Sequence, residues 1–292
     1  MKFATLHAED DIVVAAISPE TNEYWILSRL LGHPIHTMFD IINNYDKIKD
    51  KLVLKDGAKS LLDARLLPPL MPNRNIMCVG KNYRAHAREF TKSGFDSSAK
   101  DLNEAIPSAP IIFTKPPETV IADGANILYP VGISDSVDYE AELGVIIGKG
   151  GRGISKENAL EHVFGYTIIN DMTARDLQAK HKQWFIGKSL DTFCPMGPYI
   201  VTRDEVDVAN LRVQCWVNGE LRQDANTSDL IFDVPTLIET LSQGLTLQPG
   251  DVIATGTPAG VGIGFNPPKY LVRGDEVAIE ITGLGRLANR LA

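Results

Sequence analysis

The sequence predicts an α+β protein that is rich in β-strands and divided into two domains. Apolar runs of strand length, separated by turn signals, dominate the chain from residue 138 onward, and helical patterns are few. The run Leu67-Pro68-Pro69-Leu70-Met71-Pro72 marks a boundary, because closely spaced prolines neither continue a helix nor lie in a central strand. We therefore expect a small N-terminal α+β domain over residues 1–72 and a larger, strand-rich domain over residues 73–292.

Composition and charge limit the classes of protein to which the chain can belong. Its 292 residues are 44% hydrophobic and 23% charged, which is ordinary for soluble globular proteins. No apolar run approaches the roughly 20 residues of a membrane span. The formal net charge of -8, with no segment that concentrates Lys and Arg, argues against nucleic-acid binding. The first residues lack the layout of a secretory signal or a transit peptide, so we expect a cytoplasmic protein.

Turn signals locate the strands of the larger domain. Asn218-Gly219 follows the strand pattern of residues 211–217 and indicates a tight hairpin, because both turn positions need positive φ. Pro249-Gly250-Asp251 and Arg273-Gly274-Asp275 are turns that each lead into another strand. These signals and the apolar runs predict strands at residues 75–80, 140–147, 163–169, 199–202, 211–217, 252–255 and 276–281.

Helices are predicted at three places. Residues 83–90 have a helical pattern that stops near Gly94, and Ser155 can cap a helix over residues 155–162. A third pattern covers residues 230–241. Few helices among many strands favour an α+β fold over a doubly wound one.

A long loop follows the first predicted helix. Residues 95–110 are polar, end in two prolines and show no clear period. Long loops in compact domains often act as lids. We expect this loop to influence the choice of substrate.

An acidic pattern opens the first strand of the larger domain. Asp138, Glu140 and Glu142 alternate with apolar residues, so on an uninterrupted strand their carboxylates point to the same face. The strand then continues into the apolar residues 143–147, which we expect to be buried. Carboxylates that enter a core need a compensating charge, and no basic residue alternates with them. A bound cation is the simplest compensation.

A second strand also ends on an acid. The apolar run over residues 166–170 leads directly to Asp171. Carboxylates with water suit Mg²⁺, Mn²⁺ or Ca²⁺, and the lack of nearby His or Cys argues against zinc. From spacing alone, a solvated acidic face stays an alternative to a metal site.

Several longer motifs follow one another along the chain. They are Val79-Gly80-Lys81-Asn82-Tyr83-Arg84-Ala85-His86, Asp138-Tyr139-Glu140-Ala141-Glu142-Leu143-Gly144, Asn170-Asp171-Met172-Thr173-Ala174-Arg175-Asp176, Gly187-Lys188-Ser189-Leu190-Asp191-Thr192-Phe193 and Thr255-Gly256-Thr257-Pro258. In this order, the motifs resemble those of the fumarylacetoacetate hydrolase family over about residues 76–290. Within that family the chain resembles the branch of acylpyruvate hydrolases and 2-hydroxyhepta-2,4-diene-1,7-dioate isomerases.

The resemblance implies a fold, a metal and an assembly. It implies that the larger domain is a mixed β-sandwich or roll and that the protein is a homodimer. It also implies that Glu140, Glu142 and Asp171 are the metal ligands, with Mg²⁺ as the expected ion and Mn²⁺ or Ca²⁺ as alternatives.

His86 and Glu89 are the candidate proton-transfer pair. Three residues apart on a helix, they share a face, so Glu89 can orient the imidazole and stabilise its charge. From spacing alone, a surface ion pair is the simpler interpretation. The resemblance favours a general base, because related hydrolases and decarboxylases carry such a pair on a segment that closes over the substrate.

Gln178, Lys188 and Thr257 occupy positions that face the substrate in the family. Lys188 ends the apolar run of residues 184–188, where it can act as a catalytic partner for a carboxylate or a developing enolate. The alternative for this lysine is a side chain that reaches the surface. Lys182 stands where relatives can place a tyrosine that faces the substrate.

One motif points to a different class of protein. Residues 148–153 satisfy GxGxxG after a predicted strand and before a predicted helix, which is typical of dinucleotide-binding proteins. A doubly wound domain needs several strand-helix-strand units, and only one is present. We interpret these glycines as a turn.

The resemblance implies a metal-dependent C–C bond hydrolase that acts on an acylpyruvate-like 2,4-dioxo acid. His86, oriented by Glu89, activates water in this scheme, and a pyruvate enolate leaves with the help of the metal and Lys188. The same enolate chemistry supports oxaloacetate-type decarboxylation and isomerisation of a 2-hydroxy-dienedioate. A non-catalytic protein that binds a metal or a ligand is the alternative from another class.

Overall fold

The structure, a computed structural model, describes residues 1–54, 57–96, 98 and 101–292. It confirms the predicted α+β, strand-rich fold. In the described part of the chain, no helix is long and apolar enough to cross a membrane. The strands are β1 (Lys2–Ala8), β2 (Asp11–Ser18), β3 (Glu23–Ile26), β4 (Lys59–Ser60), β5 (Arg65–Leu66), β6 (Ile76–Gly80), β7 (Ile111–Lys115), β8 (Val120–Ile121), β9 (Asn126–Ile127), β10 (Val137–Asp138), β11 (Ala141–Ile147), β12 (Val163–Asn170), β13 (Thr173–Ala174), β14 (Cys194–Thr202), β15 (Arg212–Val217), β16 (Glu220–Asn226), β17 (Val252–Ala254), β18 (Glu276–Ile281) and β19 (Gly285–Leu291).

Short helices connect these strands at the edges of the sheets. A 3₁₀ helix over Lys156–His162 occupies the second predicted helical position. The α-helices are α1 (Leu27–Leu31), α2 (Met38–Ile48), α3 (Arg84–Lys92), α4 (Arg175–His181), α5 (Phe185–Lys188) and α6 (Val234–Gly244).

Most of the strands belong to one long mixed sheet. Its order is β4-β3-β2-β1-β14-β12-β11-β17-β6-β7, with β5 beside β1 and β8 beside β14. A second sheet has the order β16-β15-β18-β19-β9, and β10 pairs with β13 in a short ribbon. In the long sheet β11 lies antiparallel to β12, whereas β17 and β6 are parallel.

The N-terminal segment extends the long sheet. β1 pairs with β14 in antiparallel fashion, and Phe3 lies opposite Ile200. The predicted domain boundary at residue 72 stays a prediction. The segment before it is joined to the rest by main-chain hydrogen bonds as well as by side-chain packing.

The centre of the long sheet is buried on both faces. Val145 and Ile147 of β11 pack in one hydrophobic cluster with Ile279 of the five-stranded sheet. The intervening Ile146 packs in a second cluster with Ile41 of α2. Strands buried on both faces need continuous rather than alternating apolar residues, which explains the apolar run that predicted β11.

Two predicted elements differ from the structure in a way that matters for the site. The strand expected over residues 140–147 is interrupted, since β10 ends at Asp138 and β11 begins at Ala141. The helix expected over residues 230–241 begins only at Val234, because Leu230 forms a bridge with Tyr83 instead. Asp233 caps this helix through a hydrogen bond from the backbone N–H of Thr236. In the loop of residues 95–110, the described residues form turns and bends, and residues 97, 99 and 100 lie outside the described part.

Candidate active site

The antiparallel pairing of β11 with β12 assembles the acidic cluster. Ala141 lies opposite Asn170. Glu140, which directly precedes β11, and Glu142, its second residue, therefore meet Asp171, which directly follows β12. One carboxylate oxygen from each of the three acids lies within 4.8 Å of the other two. The structure thus brings together all three predicted metal ligands, and each is buried.

Two buried lysines contact this cluster. Lys188 Nζ lies 2.8 Å from Glu140 Oε2 and 2.7 Å from Asp171 Oδ2. Lys115 Nζ lies 2.7 Å from Asp171 Oδ1. Burial raises the pKa of Glu140, but Lys188 and Arg175 outweigh it and lower that pKa to about 2. Basic residues from other elements therefore compensate part of the charge of these acids, which the spacing of residues in the sequence did not indicate.

Arg175, at the start of α4, connects two acids of the site. Its Nε lies 2.9 Å from Asp138 Oδ2, and its Nη2 lies 2.8 Å from Glu140 Oε1. The Asp138 carboxylate also accepts hydrogen bonds from the backbone N–H groups of Gly262 and Ile263. Asp138 therefore lies outside the cluster of three acids and orients Arg175, which corrects the expectation of three carboxylates on one uninterrupted strand.

Glu142 is the acid whose charge is least compensated. It is 1% exposed. Among the residues that the structure describes, its carboxylate forms no ion pair and accepts one hydrogen bond, 2.8 Å from the backbone N of Gly256. Burial, followed by the charges of Asp171 and Glu140, raises the pKa of Glu142 well above its usual value.

The donor set fits a divalent cation. Three buried carboxylates are the oxygen ligands that Mg²⁺, Mn²⁺ and Ca²⁺ prefer, and waters commonly complete such a shell. A cation at this position supplies the positive charge that Glu142 lacks. The cluster can therefore hold a metal, and Glu140, Glu142 and Asp171 are the residues that would hold it.

The predicted proton-transfer pair lies on α3. His86 Nδ1 is 3.2 Å from Glu89 Oε2, and His86 is 4% exposed. Glu89 in turn accepts a hydrogen bond, 3.0 Å long, from the backbone N–H of Gly260. Because this bond anchors the carboxylate and the carboxylate holds Nδ1, the ring nitrogen available for a proton is Nε2.

His86 and Glu140, one acid of the cluster, border the same cavity. The space open to water there is about 10 Å³, room for about one water molecule. Trp184 closes one side, with its ring centroid 6.0 Å from that of Phe90 on α3. The lining comprises Val79, Gly80, Lys81, His86, Phe90, Phe113, Glu140, Arg175, Gln178, Trp184, Lys188 and Thr257.

The predicted substrate-facing residues all lie in this lining. Lys188 is buried rather than directed to the surface, as the apolar run around it predicted. Gln178 Oε1 accepts a hydrogen bond from Arg175, and Thr257 Oγ1 accepts one from Gln223. Their catalytic and binding roles stay predictions.

Sequence reasoning assigned no role to Lys115 or Arg175, or to Lys81 in the cavity wall. A signal for Lys115 was present, because it ends the apolar strand of residues 111–115 in the way that Lys188 ends its own apolar run. Arg175 gave no such signal. Its partners Asp138 and Glu140 are distant in sequence, and only the fold brings them together.

The chain belongs to the fumarylacetoacetate hydrolase family. A family profile described as fumarylacetoacetate (FAA) hydrolase C-terminal matches residues 75–292. This match confirms the family predicted from the motifs.

Its relatives have different reactions in their names. The chain is 52% identical to the oxaloacetate tautomerase YisK of Bacillus subtilis over 234 residues. This alignment covers 80% of the present chain and 74% of YisK. The structure is similar to that of fumarylacetoacetate hydrolase from Exiguobacterium antarcticum, with a TM-score of 0.84 and 40% identity over 100% of this chain and 99% of the other. It is also similar to maleylpyruvate hydrolase from Sphingobium in complex with manganese(II) and pyruvate, with a TM-score of 0.80 and 30% identity over the same shares.

Proposed function

We propose that the protein is a metal-dependent enzyme that interconverts the keto and enol forms of a small 2-oxo dicarboxylate, with oxaloacetate as the first candidate. The observation that carries this proposal is the buried His86–Glu89 pair beside three clustered carboxylates, in a cavity with room for about one water. Moving a proton needs no second substrate, so a tightly closed cavity suits the reaction. The tautomerase named among the relatives supports the same choice.

The charges of the site favour an anionic substrate. Four buried carboxylates, those of Asp138, Glu140, Glu142 and Asp171, face three buried cations. These groups together carry a net charge of −1, and a bound divalent cation would change it to +1. An anionic 2-oxo acid then enters a pocket of opposite charge, although the chain as a whole is acidic.

A divalent cation held by the three acids would supply Lewis-acid stabilisation to the enolate of the substrate. His86 Nε2 removes a proton from C3, the electrons of the C–H bond form the C2=C3 bond, and the π electrons of C2=O move to the oxygen. The His86 imidazolium then returns its proton to that oxygen, which completes the enol. Glu89 stabilises the imidazolium that forms. Burial lowers the pKa of Lys188, but Asp171 and Glu140 outweigh burial and raise it, so Lys188 stays charged and stabilises the enolate.

The test follows the loss of the ultraviolet absorbance of enol-oxaloacetate. With Mg²⁺ present, the wild-type protein should accelerate ketonisation well beyond Mg²⁺ alone at the same concentration. The same measurement on Asp171→Ala, which lacks one proposed ligand, should return to the rate of Mg²⁺ alone. A wild-type rate equal to that of the metal control would exclude the proposal.

Hydrolysis of an acylpyruvate is the second candidate. His86 activates a water in this reaction, the distal carbonyl is attacked, and pyruvate enolate is the leaving group. The cavity has room for about one water, and maleylpyruvate hydrolase is among the similar structures. Product analysis on acylpyruvates, with detection of a free acid beside pyruvate, would favour this candidate, whereas carbon dioxide from oxaloacetate would indicate decarboxylation.

The non-catalytic alternative has its own outcome. If His86→Ala changed no activity and calorimetry detected only binding, a binding protein would be the better description. The homodimer implied by the family also stays a proposal. Sedimentation equilibrium of the purified chain tests it.

A further inference from the structure

Lys81 is a buried lysine of the cavity wall that belongs to no part of the acidic cluster. It follows β6 and is 3% exposed. Its backbone has φ 56, a conformation that residues with long side chains rarely adopt. The next residue holds this turn in place, because Asn82 Nδ2 donates hydrogen bonds to the carbonyl oxygens of Phe232 and Thr255.

The Lys81 ammonium is directed to Asp96. Lys81 Nζ lies 2.6 Å from Asp96 Oδ2, and the two side chains are 2% and 1% exposed. Asp96 Oδ2 also accepts a hydrogen bond, 2.6 Å long, from Thr91 Oγ1, and Oδ1 accepts one from the backbone N–H of Ser98. Thr91 lies in the last turn of α3, the helix that carries His86.

Two polar connections therefore hold α3. Near its middle, Glu89 is bound to the backbone of Gly260. At its end, Thr91 is bound through Asp96 to the rigid turn at Lys81. Both connections join α3 to segments that themselves border the site, so they determine where the His86 ring lies.

The cavity must widen during turnover, and α3 supplies His86 and Phe90 to its wall. Space for about one water is less than any 2-oxo dicarboxylate occupies, so the substrate enters only when the wall opens. In the closed site His86 must occupy one position, since proton transfer needs the base within about 3 Å of the substrate. Contacts that fix α3 therefore bear directly on the geometry of proton transfer.

We propose that Lys81 is a positioning residue, whose ion pair with Asp96 fixes the C-terminal end of α3 and thereby places His86 beside the acidic cluster. The inference rests on the proposed function in one respect, since it takes His86 as the residue that moves the proton. A buried ion pair is an inefficient way to gain stability, because an apolar pair of similar volume often does as well. The hydrogen bonds that the Asp96 carboxylate accepts from Lys81, Thr91 and Ser98 are directional, so they define one position of the end of α3 instead.

The experiment compares Asp96→Asn and Lys81→Met with the wild-type protein. Hydrogen–deuterium exchange of the α3 amides should accelerate by about tenfold or more, whereas β11 and β12 keep their protection. With enol-oxaloacetate, kcat should fall about tenfold or more while the Kd for Mn²⁺, measured by calorimetry, stays within about twofold. Lys81→Arg keeps the positive charge and a hydrogen-bond donor, so both the protection of the α3 amides and kcat should stay closer to those of the wild type than in Lys81→Met.

Lys92→Met is the matched control, because Lys92 is an exposed lysine on α3 itself. Unchanged α3 exchange in a folded Asp96→Asn protein overturns the proposal, as does an equal acceleration in Lys92→Met. If Lys81→Met does not fold, the nearly isosteric Asp96→Asn decides the question. The exchange measurement needs no substrate, so it stays decisive even if the wild-type protein fails to act on oxaloacetate.

Discussion

Lys115 Nζ lies 2.7 Å from Asp171 Oδ1, and neither side chain has any exposed surface. The same ammonium donates a hydrogen bond to the carbonyl oxygen of Met172 and is bonded to that of Lys188. One strand, β7, thus supports a proposed metal ligand, Asp171, and the backbone of Lys188, which is proposed to face the substrate.

Replacing Lys115 by Met should leave Asp171 buried among like charges. The metal-free variant should lose about 3–5 kcal/mol of unfolding free energy, because one partner of a buried ion pair is removed. Mn²⁺ should restore a large part of this loss and raise the Tm of the variant more than that of the wild type. Urea denaturation in EDTA and in Mn²⁺ measures both effects, with the exposed Lys149→Met as control. An equal loss of unfolding free energy in EDTA and in Mn²⁺ would show that a bound cation does not compensate the charge left on Asp171.

Glu142→Gln should separate metal binding from folding. The amide removes a charge that burial and Asp171 disfavour, so the metal-free variant should be at least as stable as the wild type. At a concentration of Mg²⁺ about 100 times Kd, the wild type should gain about 2.7 kcal/mol, and the variant should lose most of that gain. Thermal unfolding with and without Mg²⁺ tests this, and the exposed Glu118→Gln should behave as the wild type. A variant that Mg²⁺ still stabilises fully would remove Glu142 from the ligand set.

His86→Asn should lower kcat by about 10²- to 10⁴-fold, the usual contribution of a general base. Glu89→Gln should have a smaller effect, about tenfold, because it removes the charge that stabilises the His86 imidazolium but leaves the imidazole in place. Neither change should alter the Kd for Mn²⁺. Steady-state kinetics and calorimetry measure these quantities, and Arg84→Met, on the exposed part of α3, is the control. Loss of metal affinity in His86→Asn would assign that residue to the metal instead.

Asp123→Asn should stabilise the protein at neutral pH. Burial raises the pKa of Asp123, although Oδ1 accepts a hydrogen bond from the backbone N–H of Ala288 at 2.7 Å. A carboxyl with a raised folded-state pKa lowers stability as the pH rises above its unfolded value of about 3.9. The variant should therefore have a higher Tm than the wild type at pH 7, and the difference should vanish near pH 3. Differential scanning calorimetry across this range tests the sign, with the exposed Asp135→Asn as control.

The cluster of Glu140, Glu142 and Asp171 was predictable from sequence because these acids lie in contiguous motifs, whereas their role as metal ligands stays a prediction. Glu140 and Glu142 precede an apolar run and Asp171 ends another, so local pattern and resemblance together located the cluster. The strand at residues 276–281 was predicted with its observed bounds, because the turn Arg273-Gly274-Asp275 directly precedes it and fixes where it begins.

What could not be predicted depends on contacts between distant residues. The apolar strand that ends at Lys115 marks this lysine but does not indicate its partner Asp171, because the two residues are 56 positions apart and meet only in the folded protein. The interruption between β10 and β11 has the same origin, because Asp138 is bound to Arg175 and to the backbone of Gly262. The late start of α6 reflects the bridge between Leu230 and Tyr83, which outweighs local helical preference.

The proposed metal ligands and the proposed base, His86, lie on elements of different kinds. Glu142 lies on β11, a strand enclosed on both faces by two hydrophobic clusters, whereas His86 lies on the nine-residue helix α3, outside the sheets. Substitutions in α3 and the loop after it can therefore accumulate without disturbing the metal ligands. A family built this way can diversify its reactions by exchanging one peripheral segment, and transplanting residues 84–110 from a hydrolase relative is a direct route to altering the chemistry of this chain.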